Sequence, residues 1–318
     1  MSLPPSPRLP KPLPQVPGPK LVPFTRTAHA VIQFVKELGS PGQDGRVWEV
    51  TIKGKPYALK MFMFCPTDYL RDDLAGHLVR DLSSPRFYTD YFDPFSCECR
   101  AYGRLKEENR EHLAVRSHGY LLLTPAQELE ITRSIAGSEP SRSNIWDRSE
   151  EHQHLPIQAI VKDLAESQEP FTAKQVPDMW ADLKELHELG ILVRDIRIFN
   201  YLGGKLIDFS RSWSTPHPGY AALYWADEGE ERSGDAHGLN KAVIEWGIGN
   251  HWDWDEVVIP DEMVNCASGR GPNQYGVDPR LYNWLKWEKN PVAASAFLEE
   301  HVLEKPVDNG EYLRTWGV

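Results

Sequence analysis

The most informative part of the chain runs from Ile191 to Ser210 and reads ILVRDIRIFNYLGGKLIDFS. Within it, an Arg-Asp pair that ends at Asp195 precedes Asn200 by four intervening residues. A short apolar run then ends at Asp208. Carboxylate and amide oxygens are hard ligands that suit Mg²⁺. A positioned carboxylate can also orient or deprotonate a hydroxyl group. These residue types could therefore bind a divalent cation and act on a hydroxyl group.

A helix is expected directly before this loop. Between Thr172 and Gly190, apolar residues recur at steps of three and four residues, and Gly190 is well placed as a C-terminal cap. The apolar positions are Val176, Met179, Leu183, Leu186 and Leu189. This helix would deliver the chain into the loop that carries Asp195.

Two strands and a glycine-rich turn are expected near the N-terminus. The sequence from Trp48 to Phe64 alternates between apolar and polar residues and turns at residues 53–55, which predicts a hairpin. Directly before it, Gly39, Gly42 and Gly45 form a G-x-x-G-x-x-G-x-V pattern that ends at Val47. Glycine lets the backbone approach phosphate oxygens and donate amide groups to them.

The remaining elements of this half are one helix and two strands. A short helix is expected over residues 97–105 and carries Glu98. Strands are expected over residues 114–123 and 157–164. Residues 66–92 and the polar stretch 124–154 are interpreted as insertions, the second of them flexible.

Over residues 34 to about 213, these motifs resemble the protein-kinase-like superfamily. The resemblance implies an α+β, two-lobed protein-kinase-like fold with a β-rich N-lobe, a mainly helical C-lobe and ATP in the cleft. It also implies that Lys60, paired with Glu98, holds the α- and β-phosphates. Asn200 and Asp208 would bind Mg²⁺, and Asp195 would position the acceptor. Arg197 would replace the lysine that contacts the γ-phosphate.

The resemblance also implies a set of nucleotide-binding residues. Ala58 would cover the adenine ring, and the backbone of Asp163 and Leu164 would bond the adenine at the junction of the lobes. The full set is Gly39, Gly42, Gly45, Val47, Ala58, Lys60, Asp163 and Leu164.

Three longer phrases are similar to a narrower, fungal family. They are DPFxxECRAYGR from Asp93, VRDIRxxNY from Val193, and Asp208-Phe-Ser followed by Thr215-Pro-His-Pro. The chain resembles the family named for the FTA2 subunit of the kinetochore Sim4 complex. The resemblance implies a protein partner in a centromeric assembly.

Departures from the kinase pattern keep several functions open. Val193 replaces the expected histidine and would pack under Phe209, and Ser210 replaces the expected glycine. Neither an A-P-E motif nor a peptide-positioning motif follows Pro218. These features fit an atypical or small-molecule kinase, or a nucleotide-binding pseudokinase, at least as well as an ordinary protein kinase.

Composition indicates an intracellular protein of the cytoplasm or nucleus. The 318 residues contain 41% hydrophobic residues, but no apolar run approaches the roughly 20 residues of a membrane span. Neither a secretory signal nor a cysteine framework is visible, since the four cysteines form no repeated spacing. The cysteines are Cys65, Cys97, Cys99 and Cys266.

The predicted organisation has three parts. Residues 1–23 contain nine prolines and are expected to form a disordered tail; residues 24–161 form the N-lobe and residues 162–318 the C-lobe. An acidic segment, 227–262, carries eleven acidic and two basic residues. It contributes most of the chain's net charge of −11. It is interpreted as a solvated face that could dock a basic partner, and it argues against direct nucleic-acid binding.

The favoured function is transfer of the γ-phosphoryl group of Mg·ATP to a hydroxyl acceptor. A pseudokinase-like scaffold in a kinetochore or other fungal complex is the first alternative. A kinase fold redirected to another ATP- or acyl-dependent reaction is the second.

Overall fold

The structure is a computed structural model that describes residues 13–24, 31–66, 68–70, 85–136, 145–167, 169–215, 217, 234–254 and 257. These residues form a mixed α+β fold in which a five-stranded antiparallel sheet packs with several helices. The α+β class expected from the sequence is thereby confirmed.

The sheet has the spatial order β1-β2-β3-β5-β4. Its strands are β1 (Ile32–Glu37), β2 (Gly45–Ile52), β3 (Lys55–Phe62), β4 (Ser117–Leu122) and β5 (Gln158–Lys162). The β2–β3 hairpin turns at Lys53 and Gly54, whose φ angles are 51° and 75°. Positive φ at both central residues matches the twist of the flanking strands. The predicted hairpin is confirmed.

Among the described residues, five α-helices accompany the sheet: α1 (Pro85–Phe92), α2 (Pro94–Glu107), α3 (Pro125–Ala136), α4 (Val176–Glu188) and α5 (Gly234–Gly249). Asp93 caps α2, because its carboxylate accepts a hydrogen bond from the Ser96 N–H at 3.2 Å. Helix α4 confirms the helix expected before the loop, and Gly190 follows it with a φ of 74°.

Helix α3 lies within the stretch 124–154 that was expected to be a flexible insertion, so that expectation is wrong for residues 125–136. Thr124 and Gln127 form reciprocal hydrogen bonds at its start, which is a capping box. The helix was missed because it buries a single residue, Ile131, and therefore leaves almost no periodic apolar signal in the sequence.

Two short two-stranded sheets lie close to the sequence motif, and the second of them is a hairpin. Strand β6 (Ile191–Leu192) pairs with β9 (Trp213–Ser214), and β7 (Tyr201–Leu202) pairs with β8 (Lys205–Leu206). Both are antiparallel, and together they set the path of the chain around Asp195 and Asp208.

The two faces of the sheet contribute to different cores. Leu59 and Met61 of β3 pack in a cluster that includes Ile131 of α3. Phe62 and Ile160 pack in a second cluster that continues through α2 into α4 and α5. Because strand residues alternate between faces, Lys60 lies on the α2 side of the sheet. The second core therefore connects the sheet to the helical part beneath the expected site.

Residues 20–24 cross α2 and extend the edge of β4. Leu21 is fully buried and its N–H donates to the Cys99 carbonyl at 2.8 Å, while the Phe24 N–H donates to the Tyr120 carbonyl at 2.8 Å. The backbone of Lys20 lies so close to Gly103 that a Cβ there would stand 2.4 Å from the Lys20 Cα. This packing contradicts the disordered tail for this part of residues 1–23, because Leu21 has an apolar site to fill. Residues 1–12 lie outside the described residues.

Several other expectations concern residues that the structure does not describe. They include Cys266 and, within the acidic segment, residues 227–233, 255–256 and 258–262. Among the described residues, no helix combines the length and the apolar character that crossing a bilayer requires.

Candidate functional site

The β7–β8 hairpin explains the spacing between Asn200 and Asp208. Its turn is Gly203-Gly204, with φ angles of 57° and 78° that glycine adopts without strain. Beyond the paired strands, the Ile207 N–H donates to the Asn200 carbonyl at 2.9 Å. Asn200 and the residue that precedes Asp208 are therefore neighbours at the open end of one small hairpin.

Asp195 and Asn200 are bonded to each other within the same loop. The Asn200 side-chain Nδ2 donates to the Asp195 carbonyl oxygen at 2.7 Å and lies 3.3 Å from the Asp195 carboxylate. Because the amide nitrogen is used in this way, Asn200 Oδ1 is the atom that can ligate a cation. The Asp195 side chain is 28% exposed, so its carboxylate is accessible from solvent.

Arg197 pairs with Asp195. Its Nε lies 2.6 Å from Asp195 Oδ1, and the arginine side chain is 74% exposed. The position expected to contact a γ-phosphate is therefore occupied by a surface cation that binds the expected base.

Lys60 lies at the centre of the site. Its Nζ donates to Glu98 Oε2 at 2.8 Å and to Asp208 Oδ1 at 2.6 Å. The three residues come from β3, from α2 and from the segment after β8, so the structure brings together side chains distant in sequence. The predicted Lys60–Glu98 pair and the proximity of Lys60 to Asp208 are both present.

A second lysine, Lys162 at the end of β5, was not predicted from the sequence. Its ammonium forms an ion pair with Glu98 Oε1 and donates to the Ile207 carbonyl at 2.6 Å. Lys162 is 4% exposed and Glu98 is fully buried. A lysine at the end of a short apolar strand gives no sequence signal that distinguishes it from a solvated one. Only the pairing of β3 with β5 reveals its position.

Lys60, Glu98, Lys162 and Asp208 are called the ion-pair ring below, since Ile207 joins Lys162 to Asp208 through the backbone. Burial raises the pKa of the Asp208 carboxyl, but the ammonium groups of Lys60 and Lys162 outweigh burial and hold that pKa below its usual value. Burial lowers the pKa of Lys60, whereas Asp208 and Glu98 raise it to a net value above the ordinary one. Lys60 and Asp208 are therefore charged at neutral pH.

Asp235 is a second residue that sequence reasoning missed. It lies at the start of α5, is 3% exposed, and accepts hydrogen bonds from the Val193 N–H at 2.7 Å and the Arg194 N–H at 2.6 Å. Arg194 has a φ of 64°, which is unusual for a residue other than glycine. Asp235 therefore fixes the backbone directly before Asp195. Its burial contradicts the interpretation of the acidic segment as a solvated face at this position.

The glycine-rich turn is held against the segment after Asp208. Asp44 accepts hydrogen bonds from the Ser210 hydroxyl at 2.7 Å and from Arg211 Nη2 at 2.6 Å. The Ser210 N–H in turn donates to Asp208 Oδ1 at 2.7 Å. Ser210 thus connects the turn to the ion-pair ring. A buried Val193 shares a core with Phe209, as expected for the residue that replaces a histidine.

The other predicted nucleotide-binding residues lie along the same sheet. Gly39 has a φ of 72°; at Gly45 a Cβ would stand 2.4 Å from the Met61 carbonyl oxygen, so no side chain fits there. Ala58 faces Lys162 and Val47 faces Lys60 in the strand register. The Asp163 N–H donates to the Arg116 carbonyl at 2.9 Å, so this donor is engaged within the protein.

The chain is thus a mixed α+β protein in which four side chains of alternating charge meet where the sheet, α2 and the segment after β8 come together; Lys60, Glu98 and Lys162 are buried, and Asp208 is 27% exposed. The sequence profile of the family described as kinetochore Sim4 complex subunit FTA2 matches residues 9–213, more than half of the chain. The chain belongs to this family. The matched residues include the whole ion-pair ring and end before α5. A search among curated proteins finds no match.

Proposed function

We propose that the protein acts as a subunit of a kinetochore complex and binds other protein subunits there. The match to the FTA2 family over residues 9–213 carries this proposal. A nuclear location follows from it, because kinetochores assemble on chromosomes. The role requires binding surfaces rather than catalysis.

Co-purification tests this role. The full chain, tagged at its native expression level, should recover the other subunits of the Sim4 complex and enrich centromeric DNA after cross-linking. An unrelated nuclear protein with the same tag is the control. Recovery of neither the subunits nor centromeric DNA would contradict the proposal.

A second function, nucleotide binding in the cleft, is favoured by the contact of Lys60 with both Glu98 and Asp208. The fold proposed for it is a two-lobed kinase-like one, with residues 24–161 in the N-lobe and 162–318 in the C-lobe. In this arrangement, Lys60 binds the α- and β-phosphates of ATP. Asp195 positions a hydroxyl acceptor, and Arg197 lies beside it.

The residues present fit a Mg²⁺ ion and a phosphate chain. Asn200 Oδ1 and the Asp208 carboxylate supply hard oxygen donors, because the Asn200 amide nitrogen is already bonded to Asp195. The bound cation would neutralise charge on the phosphates during transfer. The adenine would bond the Asp163 carbonyl and the Leu164 backbone, since the Asp163 N–H is engaged.

Thermal shift with ATP, with and without Mg²⁺, tests nucleotide binding. Wild-type protein should unfold at a higher temperature with Mg·ATP. At a ligand concentration 100 times Kd, binding adds about 2.7 kcal/mol to the free energy of unfolding. Asp208→Asn should abolish the Mg²⁺-dependent part. Asp182→Asn, which alters a carboxylate that pairs with Lys205 elsewhere, is the control.

The two variants Asp208→Asn and Asp195→Ala separate binding from turnover. Phosphate transfer or ATP hydrolysis that is lost in Asp195→Ala, with binding intact, supports a kinase. Binding without turnover in wild-type protein supports a pseudokinase. Absence of any shift with nucleotide would contradict the second function and leave the kinetochore role unaffected.

A further inference from the structure

The ion-pair ring contains one charged residue more than the predicted site requires. The sequence motif calls for Lys60, Glu98 and Asp208, yet a second buried ammonium belongs to Lys162. In the strand register Ile160 lies opposite Lys60 and Lys162 lies opposite Ala58. Opposed residues in an antiparallel pair share a face, and so do residues two apart. Both lysines therefore point to the α2 side of the sheet.

Each oxygen of Glu98 faces a different lysine. Oε2 accepts from Lys60 at 2.8 Å, and Oε1 forms the ion pair with Lys162. Glu98 is fully buried, so loss of its cations would leave a carboxylate without solvent to stabilise it. With two lysines present, Lys60 can leave Glu98 for another anion while Lys162 still pairs with the carboxylate.

Lys162 also contacts the segment that carries Asp208. Its Nζ donates to the Ile207 carbonyl at 2.6 Å, and it lies 5.2 Å from the centroid of the Tyr102 ring on α2. Tyr102 in turn packs edge-on against Phe209, with centroids 5.1 Å apart. One ammonium therefore touches α2 and the 207–209 segment at the same time.

We propose that Lys162 is a positioning residue that holds Glu98 and the Ile207–Asp208 segment in their assembled arrangement before any ligand enters. The cleft then does not depend on Lys60 alone for its geometry. The structural part stands without a ligand. Its consequence for affinity rests on the nucleotide binding proposed above.

Hydrogen exchange on the ligand-free full chain tests the structural part. Lys162→Met removes the ammonium and keeps most of the stem, while Lys162→Arg restores a cation. We expect exchange in residues 97–105 and 207–210 to be at least tenfold faster in the methionine variant and close to wild type in the arginine variant. Lys36→Met, which removes an exposed lysine paired with Glu49 at the β1 edge of the sheet, should leave these segments unchanged.

Equal exchange, within twofold, in wild-type and Lys162→Met protein would overturn the proposal. So would uniform acceleration over the whole chain, because that pattern indicates general destabilisation and not loss of a local contact. If the methionine variant fails to fold, Lys162→Gln keeps a neutral donor for Ile207 and should show faster exchange in residues 97–105 alone. Unchanged exchange in residues 97–105 of Lys162→Gln would also overturn the proposal.

Titration with Mg·ATP then tests the consequence. If wild-type protein binds, Lys162→Met should raise the Kd about tenfold and Lys162→Arg should recover most of the affinity. An unchanged Kd together with faster exchange would overturn the effect on binding. If wild-type protein binds no nucleotide, the nucleotide function fails, and the exchange result still decides the role of Lys162.

Discussion

The ion-pair ring and the Asp195–Arg197 pair have similar contact distances but very different surroundings. Lys60 lies 2.8 Å from Glu98, and Arg197 lies 2.6 Å from Asp195. Glu98 is fully buried, whereas the Arg197 side chain is 74% exposed. Solvent competes for the second pair and screens it, but it does not reach the first. Burial, and not distance, decides which of the two contacts fixes the structure.

This difference divides the site into a fixed half and an adjustable half. The ring joins β3, β5 and α2 through Lys60, Glu98 and Lys162, which solvent hardly reaches; Lys60 also joins them to Asp208, whose side chain is 27% exposed. The loop residues Asp195 and Arg197 have side chains that are 28% and 74% exposed, so either can rotate toward solvent. The buried contacts therefore fix the arrangement of β3, β5 and α2, while the exposed pair can exchange partners.

Substitution of Glu98 should have the largest effect. Glu98→Gln leaves two buried ammonium groups facing a neutral amide, and breaking a buried ion pair on one side costs about 3–5 kcal/mol. We expect a loss of this size in the free energy of unfolding, measured by urea denaturation in the absence of ligand.

Glu107→Gln is the matched control, because Glu107 lies on the same helix and its side chain is 31% exposed near Arg104. It should change stability by less than about 1 kcal/mol. A similar loss in both variants would mean that burial does not set the value of these pairs, and the contrast between the two halves would fail.

Asp235→Asn should have an intermediate effect. An amide oxygen can replace one carboxylate acceptor, but the amide nitrogen would then face the second of two backbone donors, at Val193 and Arg194. An unsatisfied buried donor costs about 1–3 kcal/mol. We expect a stability loss in that range, with faster hydrogen exchange confined to residues 193–200.

Asp178→Asn on the exposed side of α4 serves as its control and should be neutral. Faster exchange around the ion-pair ring, and not in residues 193–200, would show that Asp235 stabilises the ring and not the loop. The loop and the ring would then be stabilised together and not as two separate parts.

Short-range patterns made much of the fold predictable. Alternation located β2 and β3, a three-and-four repeat located α4, and the spacing from Asp195 to Asp208 follows from one hairpin with a Gly-Gly turn. Helix α2 extends beyond the predicted residues 97–105, and its start is also set by local features, the cap at Asp93 and the proline that follows it. Each of these signals involves residues that are close together along the chain, so a single sequence is enough to detect it.

Lys162 and Asp235 could not be predicted because their roles depend on distant partners. A lysine after Val161 and an aspartate in an acidic run both look like surface residues. Their burial arises only when β5 pairs with β3 and when α5 packs under the loop. Composition also misled at Leu21, where a proline-rich stretch contains one apolar residue that fills a site on α2.

Substitution of Arg197 by alanine should change stability the least. Exposed pairs contribute about 0–1 kcal/mol, and ordering the arginine side chain offsets part of this. We therefore expect a change in unfolding free energy below about 1 kcal/mol, which shrinks further in 1 M NaCl, where the screening length is about 3 Å. The loss in Glu98→Gln should persist at the same salt concentration, since Glu98 is fully buried and solvent ions do not reach it. A loss of several kcal/mol in Arg197→Ala that persists in 1 M NaCl would show that the exposed Asp195–Arg197 pair is as rigid as the buried Lys60–Glu98 pair.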